Sequence, residues 1–124
     1  LSIRRQRQMC IRDRYQLLLR FYERQIQRAG RYMPVLVGEW CLCNRVADRY
    51  GKSSYEKDEA WRKKVYRRVA RMQLKTWDDC NAAGSFYWNY QLYRDRQEPM
   101  YTTSLDSWDL CRCWSHGWMP QNMR

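Results

Sequence analysis

The feature that most constrains this chain is the run Pro34-Val35-Leu36-Val37-Gly38-Glu39-Trp40, apolar except for one carboxylate near its end. A short, continuous apolar stretch between Gly and Pro signals reads as a strand of a buried parallel sheet. A second strand-like run, rich in aromatics, follows at Gly84-Ser85-Phe86-Tyr87-Trp88-Asn89-Tyr90. Between them Ser53-Ser54-Tyr55-Glu56 offers a capping box, with Ser53 as N-cap and Glu56 at the third helical position. The helix it opens is expected to reach about Cys80, burying Trp61, Val65, Val69 and Met72 at steps of three and four. Asn81 to Gly84 then makes the turn into the second strand. Strand, helix, strand is a βαβ unit, and the fold class is α/β.

In a (β/α)₈ barrel the C-terminal ends of the strands open into the active site, so an acidic residue there is a catalytic candidate. Glu39 is therefore the first candidate, and Trp40 and Trp88 at the strand ends are reserved for binding, with Trp61 and Trp77 assigned to packing. Tyr and Trp pair an apolar face with a polar handle, which suits a binding role at exposed strand ends. Upstream, Tyr15 to Ala29 reads as a helix, with Leu18, Leu19, Phe21, Tyr22 and Ile26 broadly on one side and Gly30 ending it. Cys41 to Gly51 is an irregular loop. A polar loop with Arg94, Asp95, Arg96 and Thr102 leads to Ser107, the expected N-cap of a helix over Trp108 to Ser115 that stops at Gly117. No internal repeat or second domain is legible.

The formal net charge of +11 would ordinarily invite a nucleic-acid reading. Residues 4–14, however, back-translate in frame into a string that resembles a transposase-type sequencing-library adapter. Residues 1–14 are accordingly expected to be foreign to the native protein, and 15–124 to be its own. Residues 4–14 hold five Arg and one Asp, so +7 remains without them. Much of that lies on the long helix at Arg62, Lys63, Lys64, Arg67, Arg68 and Arg71, where a solvated outer face needs no ligand.

Setting Cys10 aside leaves Cys41, Cys43, Cys80, Cys111 and Cys113, an odd number without disulfide-framework spacing. Structural zinc favours Cys-x₂₋₄-Cys pairs rather than Cys-x-Cys, so no metal is expected. His116 sits before Gly117 at an expected helix end, where it complements the helix dipole. No span approaches the roughly 20 apolar residues of a membrane helix, and no membrane partner is expected.

The two strand runs, in this order, resemble strands seven and eight of retaining β-glycosidases of glycoside hydrolase family five, especially its exo-1,3-β-glucanase-like branch. That branch carries Val-Gly-Glu-Trp on strand seven and Gly-x-Phe-Phe/Tyr-Trp-x-Trp/Tyr on strand eight. Ser107-Trp108-Asp109 to Gly117-Trp118-Met119-Pro120 resembles its last helix and exit, so the likeness covers Tyr15 to Pro120. The resemblance implies the C-terminal part of a (β/α)₈ TIM barrel, because a complete barrel takes about 250 residues and this chain has 124.

It further implies that Glu39 is the nucleophile and that Trp88 floors the subsite beside the scissile bond. Trp40 would pack beneath the nucleophile or flank the site, and the Asn89 amide would reach a sugar hydroxyl. No cofactor is needed by a two-carboxylate mechanism. The family's acid/base Glu lies in an Asn-Glu-Pro motif after strand four, which this chain lacks. Glu98 in Gln97-Glu98-Pro99 is a loop carboxylate after strand eight. The chain alone is thus expected to be inactive.

The implied substrate is a β-glucan or β-glucoside. Cys41-Leu42-Cys43-Asn44 departs from the small polar residues usual there, which leaves the linkage open. The family resemblance implies an extracellular or cell-surface location, while the odd cysteine count keeps the cytoplasm open. The competing class is a small basic helical protein that binds nucleic acid or an acidic partner through the long helix. It leaves two apolar strands unexplained, so no nucleic-acid partner is expected.

Overall fold

In the computed structural model the described residues are 2–44, 59–92 and 103–120. They form α1 (Ser2–Ala29), β1 (Leu36–Trp40), α2 (Glu59–Asp79), β2 (Gly84–Tyr87), α3 (Thr103–Asp106) and α4 (Leu110–Ser115). The chain is mixed α/β. The expected capping box at Ser53 to Glu56 and the loop beyond Asn44 lie outside the described residues, as does Glu98.

The two strands pair in parallel, with Leu36 opposite Gly84, Val37 opposite Ser85 and Trp40 opposite Tyr87. From Val37 to Trp40 the first strand takes three steps where β2 takes two, from Ser85 to Tyr87. The extra residue is a bulge spanning Gly38 and Glu39, and it breaks the two-residue alternation of side chains. Val37 and Trp40 both turn inward, while Gly38 and Glu39 are both exposed.

The expectation of a strand buried on both faces is corrected here. Leu36 is 56% exposed and only Trp40 of β1 is buried. A two-stranded sheet supplies each strand with one neighbour, and the described helices cover one face of the pair.

That covering is chiefly α2, whose inner side presents Val65, Tyr66, Val69, Ala70, Gln73 and Trp77. Trp61 and Met72 are half-buried against the same core, so both helix tryptophans pack as expected. Trp40, Leu42, Leu110, Cys113, Trp118 and Met119 complete it from the strand end and the C-terminal segment. Trp118 is stacked between Tyr66 (centroids 4.2 Å apart) and His116 (4.3 Å), with the Arg62 guanidinium 5.8 Å from its ring centre. Burial of one such aromatic contributes about 1.5–3 kcal/mol, so this stack is a principal tie between α2 and the C-terminal segment.

The first helix starts at Ser2, well upstream of the expected Tyr15. Its main described neighbour is α2, which buries Leu19 and half-buries Tyr15 and Ile26. Leu18, Phe21 and Tyr22, expected on the packed side, are exposed because one neighbouring helix covers only a narrow stripe.

At the C-terminal end the expected cap is also corrected: α4 is capped by Asp109, whose Oδ1 accepts from Arg112 N at 2.9 Å. Ser107 instead lies fully buried with its carbonyl turned toward the strand ends. His116 is the C-cap and Gly117 follows with φ 64°, a left-handed conformation that ends the helix as anticipated. A Cβ on Gly117 would also stand 2.9 Å from Lys63 Nζ.

Candidate functional site

Because the strands are parallel, their C-terminal ends fall on one side of the sheet, and Glu39, Trp88 and Asn89 share it. The Trp88 N–H donates to the Trp40 carbonyl at 2.9 Å, tying the end of β2 to the end of β1. The carboxylate of Glu39 is exposed, and the Trp88 indole is 55% exposed. An exposed carboxylate and an exposed aromatic ring thus occupy the same end of the strand pair.

Asn89 is half-buried and follows Trp88 through a cis peptide bond. Its main chain is held on both sides, the N–H by Trp108 O at 2.6 Å and the carbonyl by Leu110 N at 3.0 Å. Its side-chain Oδ1 is buried and has no hydrogen-bond partner among the described residues. A buried amide oxygen without a donor carries a desolvation cost of about 1–3 kcal/mol.

Trp40 takes the first of the two positions considered for it. It is 5% exposed, beneath the strand end, with its ring edge-on to Tyr87 at 5.0 Å and 78°. Its indole N–H is buried without a described partner. Trp40 therefore supports the strand end from the core and offers no open face for stacking.

Tyr87 was not singled out from the sequence, yet its hydroxyl organises the region. It donates to the Ser107 carbonyl, accepts from Leu42 N at 3.2 Å and lies 3.2 Å from Cys113 Sγ. Burial raises the Tyr87 phenol well above its ordinary range, and burial likewise pushes the Cys113 thiol up to about 12. Both stay protonated at neutral pH, so this pair braces the site without supplying a nucleophile. A Tyr two residues before Asn89 carries no sequence mark that separates it from the other aromatics.

The loop after β1 is fixed through its backbone. Gln73 of α2 donates to Cys41 O at 2.9 Å, and Asn44 donates to Leu42 O at 2.9 Å. Behind it, buried Asp106 takes Arg112 Nη1 at 3.1 Å and His116 Nε2 at 3.0 Å. Asp109 Oδ2 accepts from Leu92 N at 3.1 Å, so the cap of α4 also anchors the segment leaving the site. His116 thus has a definite partner in addition to its place at the helix end.

Among the described residues no group of three or more His, Cys, Asp or Glu side chains is arranged to hold a metal. None of Cys41, Cys43, Cys80, Cys111 and Cys113 is joined in a disulfide. No described helix is long and apolar enough to cross a membrane. Compared with known proteins, the chain matches no family model and no curated sequence.

Proposed function

We propose that this chain is the C-terminal part of a (β/α)₈ barrel belonging to a retaining β-glycosidase that acts on β-glucans or β-glucosides, with Glu39 as its nucleophile. The observation that supports the reading is the common C-terminal end of the parallel pair, with exposed Glu39 near the end of β1 and exposed Trp88 directly after β2. Bulges recur next to active sites because they re-aim a side chain without moving the strand. Among the described residues the outer edges of β1 and β2 are unpaired, as they would be in a pair taken from a closed barrel.

In this reading Glu39 attacks the anomeric carbon and forms a glycosyl-enzyme, while the leaving oxygen takes a proton from a general acid. Water activated by that same residue, now acting as base, then releases the sugar with retained configuration. Retention requires the two carboxyl groups to stand about 5–5.5 Å apart. The second carboxyl group belongs to the part of the barrel that precedes this chain. Trp88 stacks on the ring and Asn89 holds a hydroxyl, which aligns the anomeric carbon with the nucleophile. No cofactor takes part.

The test is a 2-fluoroglucoside that traps the glycosyl-enzyme in the complete parent protein. Labelling of the peptide containing Glu39 is the expected result. Labelling of another carboxylate, or an Glu39→Gln parent that keeps most of its turnover, would remove Glu39 from the mechanism. The sequence upstream of Tyr15 is a second check, since it should encode a strand bearing Asn-Glu-Pro.

A further inference from the structure

The outer face of α2 carries a feature that the glycosidase reading leaves unused. Lys63, Lys64, Arg67, Arg68, Arg71 and Lys75 line one groove of about 640 Å³. All six side chains are exposed, opposite the helix face that packs into the core. Their steps of three and four residues put them in adjoining rows over about 18 Å of helix.

A solvated helix face kept for stability interleaves opposite charges at these steps. Here the only ion pair among the six is Lys75 with Asp79, at 2.7 Å. The other five form none among the described residues. Like charges at i,i+4 destabilise a helix by a few tenths of a kcal/mol per pair, and this face repeats that arrangement at 63/67, 64/68 and 67/71. Such a row is relieved by an anion that spans several of the charges at once.

We infer that this groove binds an anionic polysaccharide, a sulfated or carboxylated sugar chain laid along α2. The remaining lining is Ala60 and Met72, with no aromatic ring. Single-stranded nucleic acid is ordinarily held by base stacking on aromatic side chains, and this groove has none to offer. A sugar chain with regularly repeated anionic groups and no base to stack fits what is present. Arg71 and Lys75 also line a second hollow of about 630 Å³ that holds Asp78 and Asp79, so carboxylates close the cationic row at that end. This inference does not depend on the role of Glu39.

The test measures binding of fluorescein-labelled heparin and polygalacturonate to the full chain by anisotropy, with polyuridylate and neutral dextran beside them. One variant combines Lys64→Gln, Arg68→Gln and Arg71→Gln. A second removes the same charge elsewhere through Arg4→Gln, Arg5→Gln and Arg7→Gln. The groove variant is expected to weaken binding of the better sugar polymer roughly tenfold and to flatten its salt dependence, because three exposed charges that pair with the polymer are lost. The N-terminal variant should stay within about twofold.

Equal losses in both variants would mean that net charge alone is read, and would overturn the inference. So would tighter binding of polyuridylate than of either polysaccharide, or no binding of heparin and polygalacturonate. If circular dichroism shows that the groove variant has lost helix, Arg68→Gln alone decides. A loss of about threefold supports the groove, and unchanged affinity refutes it.

Discussion

Replacing Tyr87 with Phe should cost the fold about 1 kcal/mol, and the geometry explains why the loss is no larger. The Tyr87 hydroxyl donates to the Ser107 carbonyl and accepts from Leu42 N. Those two groups are also bonded to each other, Leu42 N to Ser107 O at 3.2 Å. Removing the hydroxyl therefore orphans neither of them. Cys113 Sγ likewise keeps its contact with Asp106 O at 3.3 Å.

The ring stays in place, and with it the edge contact to Trp40. What remains is the net worth of one hydrogen bond, about 0.5–1.5 kcal/mol, or a fall in Tm of about 2–6 °C for a chain of 124 residues. Tyr87→Ala removes the ring as well and should cost about 3–5 kcal/mol. Urea unfolding followed by tryptophan fluorescence measures both. A Phe variant that loses more than about 3 kcal/mol would show that the hydroxyl alone joins the loop after β1 to the C-terminal segment. An unchanged midpoint would show that it contributes nothing net.

Three further outcomes are expected. Asp109→Ala should destabilise the chain by about 1–2 kcal/mol in urea unfolding, because it removes the α4 cap and leaves Leu92 N without its acceptor. Cys113 has a native pKa raised to about 12 from an ordinary 9.0; the unfolded chain therefore sheds this proton first, and its contribution is intact below about pH 9 and lost as pH rises toward about 12. Stability across that window should fall by up to about 1.4 kcal/mol per pH unit, and Cys113→Ala should flatten the slope. In the complete glycosidase proposed above, Trp88→Ala should lower kcat/KM about tenfold or more with little change in Tm, since the indole is exposed and stacking is worth roughly 0.5–1.5 kcal/mol beyond area; a collapsed Tm with normal kinetics would make it a packing residue.

The βαβ pattern was legible because each element announced itself locally: two apolar or aromatic runs for the strands, and Val65 and Val69 at helical spacing between them. Gly117 was legible for the same reason, as a helix stop needs only its own φ. The bulge at Gly38 and Glu39 was not, because register is a property of two strands and appears only when Trp40 is set against Tyr87. Asp109 displaced Ser107 as cap for a similar reason. Both residue types cap well, and the choice was made by Leu42 and Tyr87, distant in sequence, which claim the Ser107 carbonyl. Trp40 and Trp88 read alike in sequence, and the inward turn of the bulge separated the buried one from the exposed one.

The strand ends are joined to the α3–α4 segment largely by main-chain groups: Leu42 to Ser107, Asn89 to Trp108 and Leu110, Tyr90 to Cys111. Such bonds are indifferent to which side chains the residues carry. Drift at Glu39 or Trp88, both exposed, can therefore change the chemistry of this surface while the peptide path underneath is inherited intact. A library randomised at Glu39 and Trp88, both exposed, should yield many folded members, whereas one randomised at Tyr87 and Asp109, whose side chains hold backbone groups, should yield few.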